Sequence, residues 1–75
     1  MIEEFEQVAL TNDLPQYGLQ AGDMGTVVDI TTDGIEYTIE FFTLDGDTFA
    51  VVPVLLHQIR HVGRGEIAHT RLLPA

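Results

Sequence analysis

Gly25-Thr26-Val27-Val28-Asp29-Ile30-Thr31-Thr32-Asp33-Gly34-Ile35-Glu36-Tyr37-Thr38-Ile39-Glu40-Phe41-Phe42 decides the fold. Residues 25–31 are rich in β-branched side chains, which favour a pleated backbone. Asp33-Gly34 between two such runs is a hairpin signal, because both residues tolerate the positive φ of a tight turn. Side chains alternate across a strand, so Tyr37, Ile39 and Phe41 share one face, and Glu36, Thr38, Glu40 and Phe42 share the other. The first set predicts core. The second predicts an outer surface that carries two acids and an aromatic ring.

Outward from this hairpin the pattern persists. Asp45-Gly46-Asp47 makes a second tight turn, and residues 48–56 form a third β run. Upstream, residues 5–10 predict a first strand in which Val8 and Leu10 face one way. Residues 11–23 carry Pro15, Gly18, Gly22 and the Asn12-Asp13 pair, and predict a long ordered loop. Such loops are frequently functional. Residues 57–62 predict a final strand or a 3₁₀ turn leading into one. No stretch of 11 residues or more has a helical period.

Five short strands, one long early loop and two hairpins predict an all-β chain: a small five-stranded antiparallel SH3-like barrel, in which closure removes exposed sheet edges. At 75 residues there is room for a single domain, here placed at residues 1–62. Residues 63–75 form a C-terminal tail, docked or disordered, with Ile67, Leu72 and Leu73 apolar enough to dock.

Charge is segregated. Residues 1–59 hold eleven acids and no Lys or Arg, whereas residues 60–75 hold Arg60, Arg64, Arg71 and Glu66, for a net charge of −9. A phosphate-binding surface needs cations, so no nucleic-acid partner is expected. A 45% hydrophobic content is too high for a disordered acidic tail. No apolar run approaches 18 residues, and the start is acidic rather than basic, so no membrane span or signal peptide is expected and a cytoplasmic location is predicted.

Catalysis is not expected. Ser, Cys and Lys are absent, which removes most covalent nucleophiles. The many acids read as a solvated face, since a filled small barrel leaves little room for a pocket that would raise a carboxyl pKa. No metal or other cofactor is expected. On a strand, the four-residue spacing of His57 and His61 would put them about 13 Å apart along the axis, and Asp45-Gly46-Asp47 lacks the rest of a calcium loop.

Protein binding fits better. The run Phe49-Ala50-Val51-Val52-Pro53-Val54-Leu55-Leu56 is apolar at both parities, so one parity fills the core and the other needs a cover. Taking Ala50, Val52 and Val54 as the outward set places them beside Glu36, Glu40 and Phe42 as the partner-binding surface. A one-residue bulge, for instance at Pro53, would flip that parity. The expected partner is a basic protein, as for an antitoxin, an immunity protein or a chaperone. The alternative is self-association, a stand-alone or homodimeric structural barrel.

The stretches Asp13-Leu14-Pro15, Gly18-Leu19, Ala21-Gly22-Asp23-Met24-Gly25-Thr26-Val27-Val28, Tyr37-Thr38-Ile39-Glu40-Phe41 and Gln58-Ile59-Arg60 resemble a small bacterial family described as a domain of unknown function. The resemblance spans about residues 5–62. It implies an SH3-like barrel and no particular activity. Gly22 to Val28 is also similar to the KOW element of ribosomal and transcription-factor barrels, and to the barrel of nitrile hydratase β subunits.

Overall fold

A computed structural model describes residues 1–73. It contains β1 (Gln7–Leu10), β2 (Met24–Ile30), β3 (Glu36–Phe42), β4 (Thr48–Leu55) and β5 (Ile59–His61). All neighbours pair antiparallel in one sheet of order β4-β3-β2-β1-β5. The all-β class and the five strands agree with the sequence reading. The sheet does not close: β4 and β5 stand at its two ends and share no ladder. It is barrel-like only approximately. A 3₁₀ turn, Leu56–Gln58, leads from β4 into β5, so residues 57–62 combine both expected forms. No helix among the described residues is long and apolar enough to cross a membrane.

The two hairpins form where the turn residues predict. Thr31 N–H donates to Glu36 O at 3.0 Å across the first, with Gly34 at φ 73°. Thr43 N–H donates to Asp47 O at 2.8 Å across the second. The core draws Tyr37, Ile39 and Phe41 from β3, Val27 from β2, Val8 and Leu10 from β1, and Ile59 from β5. Gly25 of β2 has to be glycine: a Cβ there would lie 2.6 Å from Ile39 Cγ2 and 2.8 Å from Glu40 O. The reason is close backbone approach within the sheet.

β1 starts at Gln7, later than the predicted residue 5. Phe5 sits at φ 67° and its ring is exposed, while its N–H donates to Val27 O. Ahead of it, Ile2 turns inward and joins the core. The early loop is ordered from within. Leu14 and Leu19 bridge each other around the 3₁₀ turn Pro15–Tyr17, and both are buried. These two leucines belong to the core cluster.

Candidate functional site

β3 sets the geometry of the outer sheet face. Its buried residues Tyr37, Ile39 and Phe41 pair with Val54, Val52 and Ala50 of β4. Directly paired residues point to the same side of a sheet. Val52 and Val54 are therefore core residues, at 0% and 2% exposure, and Ala50 packs against the same cluster. This corrects the parity expected from sequence. Ala50, Val52 and Val54 are not on the outer face; Val51, Pro53 and Leu55 are.

A bulge produces the flip. Phe41 pairs with Ala50 but Phe42 pairs with Thr48, leaving Phe49 as the extra residue. Without it, counting from the Thr43–Asp47 closure would pair Phe41 with Phe49 and turn Ala50, Val52 and Val54 outward. That register would also set Pro53 opposite Tyr37, at a position whose N–H must bond to β3. Proline has no N–H to give. With the bulge, Pro53 pairs with Thr38 and its nitrogen faces the open edge. Leu55, of the same parity, confirms the direction: its N–H bonds to Gln58 Oε1 at 2.8 Å rather than to β3. Pro53 is the sequence signal for this register, and the bulge lies at Phe49 instead of at Pro53.

The outer face thus combines Glu36, Glu40 and Phe42, as expected, with Val51 and Leu55. Glu40 lies opposite Val51 and Glu36 opposite Leu55. Phe42, Val51 and Leu55 are 47%, 55% and 42% exposed. Asp29 of β2, exposed and paired with Thr38, adds a third carboxylate to this face beside exposed Glu36 and half-buried Glu40. Thr48 Oγ1 donates to Glu40 Oε2 at 2.7 Å and steadies that carboxylate at the Phe42 end. Sequence reading missed Asp29, because a second bulge between Val27 and Asp29 shifts its parity.

The remaining acids are mostly tied into local structure. Asp33 closes its turn by accepting from Thr31 Oγ1 at 2.6 Å and Ile35 N–H at 3.0 Å, and these bonds hold its carboxyl below the usual range. Asp45 accepts from Thr43 Oγ1, which makes residues 43–47 a turn. The Glu3 N–H lowers the Glu6 carboxyl; burial opposes this, and His61 of β5 reinforces it. Arg60 pairs with Glu66 at 2.9 Å. Among the described residues no group of three or more His, Cys, Asp or Glu is placed to hold a metal ion. His57 lies inside the 3₁₀ turn Leu56–Gln58 and His61 lies in β5, so the pair is split between two elements.

The loop between β1 and β2 forms a second polar cluster. Asp13 Oδ1 accepts from Ala21 N–H at 2.9 Å, and Asp23 Oδ2 accepts from Gln20 N–H at 2.8 Å. Arg71 of the tail reaches Asp23 and the Gly18 carbonyl. Burial pushes the Asp23 carboxyl up, but hydrogen bonds from Arg71 and Gln20 outweigh it and leave the carboxyl below its usual range. The tail is therefore docked through Arg71, while Ile67 and Leu72 stay exposed. Its last two residues, 74 and 75, lie outside the described residues.

A family carrying the description Domain of unknown function (DUF4926) matches residues 4–61, a span that takes in all five strands. The chain belongs to that family. No curated protein and no solved structure matches the chain. The DUF4926 span contains the whole outer face and the loop cluster. It ends at the last residue of β5, so the arm that carries Arg71 lies beyond it.

Proposed function

We propose that this chain is a non-catalytic protein-interaction module whose β3–β4 face receives a basic protein. The observation that carries the reading is the interleaving of Asp29, Glu36 and Glu40 with exposed Phe42, Val51 and Leu55 on one sheet face. Apolar side chains supply the area that excludes water, and carboxylates select the sign of the partner. The wider field agrees in sign: residues 1–59 carry eleven acids and no Lys or Arg, which draws in a cation-rich protein from a distance. The sharper form of the reading is an antitoxin-like, immunity-like or chaperone-like role, in which carboxylates stand where a basic partner would otherwise meet phosphate. Absence of Ser, Cys and Lys supports a role without covalent chemistry.

The β4 edge supports a face-on mode of binding. Pro53 removes one edge donor and Gln58 occupies the next, at Leu55, so strand addition is poorly served there.

The test is affinity capture at low salt, followed by direct binding of the purified partner. Glu36→Lys with Glu40→Lys should weaken that binding at least tenfold, about 1.4 kcal/mol, and flatten its salt dependence. Phe42→Glu should abolish it. Unchanged affinity in both variants would sink the reading. A concentration-dependent dimer that Phe42→Glu dissociates, with no partner recovered, would instead establish the homodimeric barrel.

A further inference from the structure

The arm that leaves β5 returns to the β1–β2 loop and is held there by one side chain. Arg71 Nε donates to Asp23 Oδ1 at 2.9 Å, and Nη2 donates to Asp23 Oδ2 at 2.5 Å and to Gly18 O at 3.0 Å. Hydrophobic burial does little for the arm: Ile67 is 93% exposed and Leu72 92%. Among the described residues, the hydrogen bonds from residues 67–73 to the body are all made by Arg71.

The receiving groups are built into the domain. Asp23 is fixed at three points: Gln20 N–H bonds to its carboxylate, its own N–H bonds to Gln20 O, and Leu10 N–H bonds to its carbonyl. Gly18 adopts φ 71° at the end of the 3₁₀ turn, and its N–H closes that turn on Pro15 O at 3.1 Å. The buried Leu14 and Leu19 anchor the segment from below. A carboxylate and a carbonyl thus converge on one planar fork of N–H donors, with the Asp23 side chain only 19% exposed. That geometry selects a guanidinium. A lysine ammonium is a point donor and cannot satisfy both carboxylate oxygens and the carbonyl in one plane.

Every receiving residue lies within the matched span 4–61, and the arginine that fills the site lies outside it. We infer that Asp23 and Gly18 form an arginine-binding site of the domain, filled in cis by the chain's own arm, so that an arginine of a protein ligand competes with Arg71 for it. The site lies on a different element from the β3–β4 face and stands whether or not that face binds a partner. A tethered arginine acts at an effective concentration in the millimolar range, so a single free arginine competes poorly until Arg71 is removed.

The experiment uses the full chain and N-acetyl-L-arginine N-methylamide as probe, with the lysine analogue as control, read by amide resonances. In Arg71→Ala, and in Arg71→Lys should the alanine variant fold poorly, the arginine probe should shift Gly18, Gln20 and Asp23 saturably. Half-saturation should come at a concentration on the order of tenfold lower than in the wild type. The lysine probe should do so weakly, and adding Asp23→Asn should remove the response. Equal titrations of wild type and variant, equal response to lysine, or indifference to Asp23→Asn would overturn the site. Shifts confined to Glu36 and Glu40 would also overturn it, and would place arginine recognition on the β3–β4 face.

Discussion

Gly25 shows how one residue sets the spacing of the sheet. Its missing side chain lets β2 lie against Ile39, which is fully buried, and against the Glu40 carbonyl. An added methyl cannot be relieved by a flexible side-chain end, because one of the two obstacles is backbone. Gly25→Ala should therefore destabilise the domain by about 1–3 kcal/mol, the usual cost of overpacking, measurable as a lower urea midpoint. A loss within about 0.5 kcal/mol would show that β2 shifts freely. Gly34 and Gly46 differ: both have positive φ and open space where a Cβ would go, so conformation rather than volume makes them glycine.

At the scale of elements, β4 supplies Val51 and Leu55 to the outer face and was the least legible part of the chain. Its neighbour β3 alternates polar and apolar residues, so its two faces follow from sequence. β4 is apolar at both parities, and burial alone cannot choose between them. The choice lies in hydrogen bonding: Pro53 cannot occupy a ladder position that needs a donor, and the bulge at Phe49 moves it to the open edge. Glu36, Glu40 and Phe42 could thus be read in advance, while Val51 and Leu55 required the register. The same edge yields a prediction. Pro53→Thr combined with Gln58→Ala restores one outward N–H and frees another, which should promote edge-to-edge pairing. Sedimentation velocity should then show more self-association than in the wild type at equal concentration. Identical profiles would mean that the edge is protected by something other than these two residues.

For the whole molecule the dominant quantity is the charge of −9 on 75 residues. Like charges repel more in the compact state than in the expanded chain, and salt relieves this. Raising the salt concentration from about 10 mM to about 150 mM shortens the screening length from about 30 Å to about 8 Å. The Tm should rise by a few degrees over that range, on the order of 1 kcal/mol for a domain of this size. A flat Tm would show that local bonds such as those of Asp33 and Asp23 have already absorbed the repulsion.

Sequence by itself determined the strand content, the two Asp-Gly turns, the faces of β3, the acidic field and the DUF4926 pattern, because each depends on neighbours in the chain. Tertiary structure alone decided what depends on distant pairing. It left the sheet open, with β4 and β5 at its ends, since three residues of β5 pair with β1 and go no further. It chose the buried parity of β4 through a single bulge. It also brought Arg71 to Asp23, 48 residues away, an ion pair that no local pattern encodes.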